Sequence, residues 1–297
     1  MSRFKRNSPK HPTRTLFDPN WRQHHASFAC ATYLYSDGIR HLAQAVDARF
    51  HDGELEAFAD IFESETYLDA NAEVIGPLEW CAHGKPRQWL GKKRGKPQQL
   101  PVWVEPDGLK LFGTGAQGVL CVEKASIALR LNRARAWERL NLIQVCSSGV
   151  PRARARRFLH RLSDEFKLPV YVLADNDLWG YFIFSVLKRG RLNPGACLPQ
   201  LATQDVRFLG VRAGEASRCL RVESARVTSS WQKRWDLRLK FMREYPCFRS
   251  KAWQREFDAF KRQGGKVEVE AITGILSAKG IADDYLAPKL QARDWLV

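Results

Sequence analysis

Three acidic residues occupy positions at which carboxylates can bind a metal ion. Glu123 follows the apolar run Val-Leu-Cys-Val, and Asp175 and Asp177 follow Tyr-Val-Leu-Ala. In an open α/β sheet, functional groups gather just beyond the carboxyl ends of the strands. An Asp-x-Asp turn points two carboxylates to one side, and carboxylate oxygens are the ligands that Mg²⁺ prefers. The sequence therefore predicts a site for Mg²⁺, with Mn²⁺ as a second candidate, at these three residues.

Each carboxylate by itself also has a simpler structural interpretation. A lone Asp after a strand is more often the N-cap of the next helix than a metal ligand. Asp177 in particular is placed to cap a helix that starts near Gly180. The metal interpretation gains support from a helix predicted over 152–167, whose first turns carry arginines that would bind a phosphate backbone. These predicted DNA contacts are Arg152, Arg154, Arg156 and Arg157.

Alternating strands and helices are expected to position these side chains. Strands are predicted at 118–122, 142–145, 169–174 and 206–211, and helices at 125–135, 152–167 and 180–188. This alternation is typical of a mostly parallel sheet with right-handed crossovers. We therefore predict an α/β fold (α+β for the whole chain) with a domain over 113–297, of which the last part is a C-terminal helical extension.

The first 112 residues have a different pattern. Residues 1–22 contain six Lys and Arg, one acidic residue and three prolines, which predicts a basic flexible arm or a solvated tail without a role. Helical spacing from 28 to 62 is followed by short strands predicted at 74–78 and 102–104. Helices followed by a basic hairpin resemble a winged helix (catabolite-activator-like), which we place at 23–112 as a DNA-binding domain. The loop residues expected to contact phosphates, unless they form a plain solvated loop, include Lys85, Arg87, Lys92, Lys93 and Arg94.

The composition favours a nucleic-acid partner. The 297 residues carry a formal net charge of +16, which is unusual for a protein that handles small neutral metabolites. A membrane is not the expected partner, because the chain has neither an apolar stretch of about 18 residues nor a signal-peptide core. Seven scattered cysteines without a C-x-x-C pair suggest buried thiols in a reducing compartment. We expect a cytoplasmic location, associated with the nucleoid if the source is prokaryotic.

Several longer motifs resemble one family. They are Val-Glu-Lys at 122–124, Gly-Val-Pro at 149–151, Arg-Arg-Phe-Leu-His-Arg-Leu at 156–162, Leu-Pro-Val-Tyr at 168–171, Asp-Asn-Asp-Leu-Trp-Gly at 175–180, Leu-Gly-Val-Arg at 209–212, Lys-Val-Glu-Val-Glu-Ala at 266–271 and Tyr-Leu-Ala-Pro-Lys at 285–289. Together they resemble the Toprim domain of topoisomerase VI A subunits and their relatives that make meiotic double-strand breaks. The resemblance covers nearly all of residues 118–297.

The resemblance also implies a nucleophile. In that family the winged helix carries a tyrosine that attacks a DNA phosphodiester and becomes joined to the 5′ end. Alignment of residues 71–76 with the segment before the wing places this tyrosine at Tyr35. The family's arginine and paired tyrosine correspond here to Ala31 and Leu34, and Leu178 replaces a usual proline. The alternative is that Tyr33 and Tyr35 are half-buried aromatic residues on a helix.

The implied activity is that of the A subunits of type IIB topoisomerases. Tyr35 of one protomer of a homodimer would meet Glu123, Asp175 and Asp177 of the other, and the two protomers would cut both strands of a DNA duplex. Glu123 is then both a metal ligand and a catalytic residue. A GHKL ATPase would serve as the B-type partner, since the chain has no Walker motif. Two alternatives are a Toprim metal-dependent nuclease and a DNA-binding homologue that has lost catalysis.

Overall fold

The computed structural model describes residues 72–82, 84–91, 96–101, 103–190, 199–215, 225–226, 236 and 238–297. The predicted arm, the helices expected from 28 to 62, and Tyr33 and Tyr35 lie outside these residues. Lys92, Lys93 and Arg94 of the basic loop also lie outside them. The winged helix therefore stays a prediction, as do the domain limits 1–22, 23–112 and 113–297.

The described strands form a main sheet and two small ones. They are β1 (Glu73–Ile75), β2 (Leu78–Ala82), β3 (Gln88–Trp89), β4 (Gln98–Gln99), β5 (Leu109–Thr114), β6 (Val119–Val122), β7 (Ile143–Cys146), β8 (Val170–Leu173), β9 (Val206–Gly210), β10 (Ala225–Arg226) and β11 (Gly265–Lys266). The main sheet has the order β4-β1-β7-β6-β8-β9. Strands β7, β6, β8 and β9 are mutually parallel where they pair. The predicted α/β fold with a mostly parallel sheet is confirmed.

Burial explains why the three central strands are short apolar runs without alternation. Every residue of β6, β7 and β8 is buried. Strands covered on both faces by other elements are expected to be continuously apolar, as in parallel sheets generally. Among their side chains, Gln144 donates a hydrogen bond to the Ala128 carbonyl oxygen, and the Tyr171 hydroxyl accepts one from Arg207. The strands predicted at 118–122, 142–145, 169–174 and 206–211 agree with β6, β7, β8 and β9 within one residue at each end, whereas the segment predicted at 74–78 is split between the end of β1 and the start of β2.

Strand β1 joins part of the first 112 residues to the main sheet. It pairs antiparallel with β7 on one side and with β4 on the other. Val74 and Ile75 are buried in this position. The residues from 72 onward that we assigned to the winged helix thus contribute two strands to the same sheet as the metal-site candidates.

A three-stranded antiparallel sheet has the order β3-β2-β5. The strand predicted at 102–104 is wrong for Trp103 and Val104, neither of which is in a strand. Pro101 and Pro106 flank this segment, and proline removes the N–H donor that a strand ladder needs. The Val104 carbonyl oxygen instead accepts a hydrogen bond from the Arg161 guanidinium. The strand that pairs with β2 is β5, a few residues later.

Helices connect the parallel strands and continue to the C-terminus. They are α1 (Ala125–Arg133), α2 (Ala136–Arg139), α3 (Ala153–Phe166), α4 (Leu178–Arg189), α5 (Lys251–Gln263), α6 (Glu270–Ile275), α7 (Ala278–Gly280) and α8 (Ala287–Ala292). A 3₁₀-helix covers Pro246–Phe248, and a π-helix covers Ile281–Leu286 between α7 and α8. Among the described helices, none combines the length and apolar character needed to cross a membrane.

Two groups of buried side chains hold these helices on the sheet. One group includes Ile127 and Leu131 of α1 together with Ile281 and Leu286 near the C-terminus, and it packs against β6 and β8. The other group is aromatic and joins α4, β9 and α5. In that group the Phe184 and Trp253 ring centroids are 4.8 Å apart. The helices therefore fix the edge of the sheet at which the candidate site lies.

The arginine-rich helix α3 differs from the expectation. Arg154 is 5% exposed and Arg156 is fully buried, so the prediction that they contact DNA is wrong. The Arg156 Nη1 atom donates to the carbonyl oxygen of Gly190, which ends α4. Arg157 is half-buried and pairs with the Glu105 carboxylate at 2.7 Å, so its DNA contact stays a prediction. Arg152 alone of the four is exposed.

The neighbouring Arg161 shows why α3 needs buried guanidinium groups. Its Nη1 donates to the carbonyl oxygens of Val104 and Leu109, and its Nε pairs with Glu165. We expect Arg161→Met to lower the free energy of unfolding by about 2–4 kcal/mol, because two buried carbonyls and a carboxylate lose their donor. Guanidinium-chloride melts would measure this. Arg152→Met is the exposed control and should change stability by less than about 0.5 kcal/mol; equal effects would contradict the assignment.

Candidate metal centre

Glu123 and Asp175 meet at the carboxyl edge of the parallel sheet. Strands β6 and β8 are neighbours, with Val122 opposite Leu173. The Glu123 N–H donates to the Leu173 carbonyl oxygen at 3.1 Å. The Asp175 N–H in turn donates to Glu123 Oε2 at 3.0 Å. The structure therefore brings together these two predicted ligands.

Asp177 caps a helix, the structural role that the sequence offered as an alternative to metal binding. It is the N-cap of α4, and its Oδ1 accepts from the N–H groups of Trp179 at 2.9 Å and Gly180 at 2.8 Å. A side chain at Gly180 would clash, because its Cβ would lie 2.1 Å from the Asp175 carbonyl oxygen. The Asp-x-Asp turn thus packs tightly onto the first turn of α4. Among the described residues, no donor bonds to the second oxygen of Asp177.

Asn176 anchors this turn from behind. Its backbone exchanges hydrogen bonds with Val267, at 2.8 and 3.1 Å. Its side-chain Nδ2 donates to the Tyr181 hydroxyl at 2.8 Å, and its Oδ1 accepts from Gln263 at 2.7 Å. The buried Glu256 accepts from the same Tyr181 hydroxyl at 3.0 Å. This network holds the two aspartates on either side of Asn176, and nothing in the local sequence pointed to Glu256 or Gln263.

Lys124 brings a positive charge into the centre. Its Nζ lies 3.0 Å from Asp175 Oδ2, 2.5 Å from Glu270 Oε2 and 3.6 Å from Glu268 Oε2. The second oxygen of Asp175 accepts from the Val269 N–H at 2.8 Å. The alternating Lys-x-Glu-x-Glu pattern at 266–270 is part of one family motif, but the sequence did not predict that it faces Lys124.

The electrostatic environment favours a bound cation. Burial, followed by the negative charge of Asp175, raises the pKa of Glu123 to about 7. Burial also raises the pKa of Asp175 and that of Asp177 above their ordinary range. Burial opposes the charge of Lys124, but hydrogen bonds to Glu270 and Asp175 outweigh it and raise the pKa of its ammonium group. Close carboxylates in a partly dry site repel each other, and a divalent ion would relieve that repulsion.

The residues present fit a hard divalent cation that keeps most of its water. Among the described residues, no three His, Cys, Asp or Glu side chains are gathered closely enough to hold a metal ion by themselves. Mg²⁺ does not require such a cage, since it usually binds through one or two carboxylates, water and substrate phosphates. Glu123 uses only Oε2 and Asp177 only Oδ1 for hydrogen bonds to described residues. Glu123, Asp175 and Asp177 are the residues that would hold the ion.

Three of the residues predicted to contact DNA are exposed in the part of the chain that the structure describes. Arg152 is the N-cap residue of α3, and the loop before it contacts the centre through a 2.8 Å hydrogen bond from the Gly149 N–H to the Glu123 carbonyl oxygen. Lys85 and Arg87 are exposed near β3. The Arg87 guanidinium pairs with Glu79 at 2.6 Å and lies 4.0 Å from the Phe112 ring centroid.

The raised pKa of Glu123 predicts a pH-dependent stability. The Glu123 carboxyl binds its proton more tightly in the folded protein than in the unfolded chain, where its pKa is near 4.5. The group therefore favours folding at low pH, and its contribution is lost as the pH rises from about 4.5 to about 7. Over this range the metal-free protein should lose about 2 kcal/mol relative to Glu123→Gln. Urea melts in EDTA would measure it; parallel pH profiles of the two proteins would contradict the shift.

Comparison with known proteins agrees with this geometry. The family of Toprim domains from topoisomerase 6 A subunits and Spo11 matches residues 118–290. The A subunit of type 2 DNA topoisomerase 6 from Saccharolobus shibatae is 33% identical over 199 residues, which are 64% of this chain and 51% of that protein. Its counterpart from Hyperthermus butylicus is 34% identical over 198 residues, with the same two shares. The DNA topoisomerase 6 A subunit of Arabidopsis thaliana is 30% identical over 183 residues, 61% of this chain and 42% of that protein.

Each match covers only part of the related protein. The chain spans about half the length of the Saccharolobus and Hyperthermus proteins that it matches. The match to the family nevertheless covers more than half of the chain and contains Glu123, Lys124, the Asp-x-Asp turn and the residues that anchor it. The chain belongs to the Toprim family of topoisomerase 6 A subunits and Spo11.

Proposed function

We propose that the protein is a transesterase, similar to the A subunits of type IIB topoisomerases, that breaks both strands of DNA through a 5′-phosphotyrosyl intermediate. The observation that carries this proposal is the Glu123–Asp175 pair at the carboxyl edge of a Toprim sheet, joined by the hydrogen bond from Asp175 N–H to Glu123 Oε2. The relatives that support it are named as topoisomerase 6 A subunits. Mg²⁺ is the proposed metal ion and Mn²⁺ its substitute.

The proposed nucleophile is Tyr35. Its oxygen attacks the phosphorus, a bond forms between tyrosine and the 5′ phosphate, and the bond to the 3′ oxygen breaks and leaves a 3′ hydroxyl. A phenol with a pKa near 10 must lose its proton in this step. A bound divalent ion would supply charge stabilisation at the phosphate. Glu123 is proposed both as a metal ligand and as a catalytic residue, and the proton that the phenol loses is balanced by the proton that the 3′ oxygen gains.

The proposed assembly is a homodimer on double-stranded DNA. Tyr35 of one protomer would meet the centre of the other, and a GHKL ATPase would act as the B-type partner. Net charge of +16 supports DNA as the partner. The proposed phosphate contacts are Lys85, Arg87, Lys92, Lys93, Arg94, Arg152 and Arg157. A cytoplasmic location, associated with the nucleoid if the source is prokaryotic, is part of the same proposal.

A metal-dependent DNA nuclease is the second candidate function. It is favoured by Ala31 and Leu34, which stand where the family has an arginine and a second tyrosine. A nuclease needs only the carboxylates and water, and it leaves free DNA ends. A homologue that only binds DNA is the third possibility, in which Asp175 has no catalytic role.

The transesterase is tested by the fate of the DNA ends. Supercoiled plasmid is incubated with protein and Mg²⁺, with and without ATP and a GHKL ATPase partner, and then denatured. We expect protein attached to 5′ ends, reduced at least about 100-fold in Tyr35→Phe because the attacking oxygen is absent. Tyr33→Phe is the matched control and should keep the linkage.

The other outcomes separate the three functions. Free ends that persist in Tyr35→Phe and are lost in Asp175→Ala would replace the proposal with the nuclease. DNA binding that is indifferent to Asp175→Ala, without any cleavage in the presence of the ATPase, would replace it with the lapsed homologue.

The phosphate contacts are tested by salt dependence. Each phosphate neutralised by a side chain contributes about −0.9 to the slope of log K against log salt concentration. We expect Arg152→Gln to make the slope less negative by about this amount, measured by fluorescence anisotropy with a short duplex. Lys261→Gln, an exposed charge near the end of α5, is the control. If the two variants give the same slope, Arg152 is not a phosphate contact.

A further inference from the structure

We propose that Lys124 is an internal cation that competes with the divalent ion for Asp175. In this scheme Lys124 neutralises Asp175 when metal is absent and gives up that contact when metal binds. The inference rests on the proposed metal site and adds a residue that sets its affinity. It concerns the 3.0 Å contact between Lys124 Nζ and Asp175 Oδ2.

The position of Lys124 in the chain brings its side chain to Asp175. Lys124 follows Glu123 directly and is the N-cap residue of α1, so its backbone is held at the end of β6. Its side chain is 24% exposed and reaches across to the end of β8. The ammonium group thus occupies the side of Asp175 that the Val269 N–H leaves open.

Lys124 has other partners when it leaves Asp175. Glu270 Oε2 lies 2.5 Å and Glu268 Oε2 lies 3.6 Å from its Nζ. Ser126 holds the other oxygen of Glu270 at 3.0 Å. The ammonium therefore stays paired after it releases Asp175, and no buried charge is left alone.

Asp175 does not need Lys124 to keep its orientation. Its Oδ1 accepts from the Val269 N–H at 2.8 Å, and its own N–H donates to Glu123 at 3.0 Å. Removing the lysine therefore opens Oδ2 without turning the carboxylate. Loss of Lys124 should therefore raise the affinity of the site for the metal ion. If Lys124 instead held Asp175 in position, its loss would lower that affinity.

The charge balance favours the divalent ion. Five carboxyl groups of the centre face two ammonium groups. They are those of Glu123, Asp175, Asp177, Glu268 and Glu270, against Lys124 and Lys266. The single positive charge of Lys124 does not neutralise all the carboxylates around Asp175. A divalent ion at the same distance attracts each carboxylate more strongly than an ammonium group does.

The experiment measures Mn²⁺ binding to the full-length, metal-stripped protein by electron paramagnetic resonance and calorimetry. We expect Lys124→Met to lower the Mn²⁺ dissociation constant about three- to tenfold, since it removes the competing contact. Lys266→Met is the matched control. Lys266 carries the same charge as Lys124 and also pairs with Glu268. It acts on Asp175 through its charge but forms no salt bridge with it. Lys266→Met should therefore change the Mn²⁺ dissociation constant by no more than about twofold.

A conservative variant separates competition from altered packing. Lys124→Arg keeps the charge and should bind Mn²⁺ within about twofold of the wild type. Thermal melts add a readout independent of activity: without metal, Lys124→Met should melt below the wild type, and saturating Mn²⁺ should raise its Tm by more than it raises that of the wild type.

The outcomes distinguish the two proposals. Wild-type protein that binds no Mn²⁺ would overturn the metal site and the inference together. Wild-type binding with unchanged or weaker affinity in Lys124→Met, or with an equal gain in Lys266→Met or Lys124→Arg, would overturn the role of Lys124 alone. The proposed transesterase would then still stand on the test of the DNA ends.

Discussion

The hydrogen bond from the Asp175 N–H to Glu123 Oε2 is the contact on which the centre depends. It exists because β6 and β8 are parallel neighbours whose carboxyl ends lie at the same edge of the sheet. Two acids that are 52 positions apart in the chain thereby become adjacent. The bond fixes one oxygen of Glu123 and leaves the other for chemistry. It also ties the Asp-x-Asp turn to the end of β6, and the Asn176 side chain holds the same turn through its hydrogen bonds with Tyr181 and Gln263.

Electrostatics at this edge are governed by partial burial. Burial removes part of the hydration that stabilises charged carboxylates, so their pKa values rise, and the pKa of Glu123 reaches about 7. Two lysines are interleaved with the acids and reduce the repulsion. Lys124 contacts Asp175 and Glu270, while Lys266 pairs with Glu268. The acids of this centre outnumber its lysines, so it retains a negative charge that would attract a divalent ion.

The positive charge of the chain serves two purposes. Part of it lies on exposed residues such as Lys85 and Arg152, where it favours a polyanionic partner. Another part lies inside α3, where the guanidinium groups of Arg156 and Arg161 donate to backbone carbonyls of Gly190, Val104 and Leu109. A guanidinium group has five donors in a rigid plane, which suits it to binding backbone carbonyls from two segments at once.

The sequence by itself determined the alternation of strands and helices, the positions of Glu123 and Asp175 beyond two strands, and the family, because these depend on local periodicity and short motifs. Only the tertiary structure decided which arginines of α3 are buried, that Asp177 caps α4, that β1 and β4 extend the main sheet, and that Lys124 faces Glu270 across 146 positions. The physical reason is that burial and ion pairing depend on which elements pack together. A helix with arginines at successive turns has the same sequence pattern whether it faces solvent or the carbonyls of another segment.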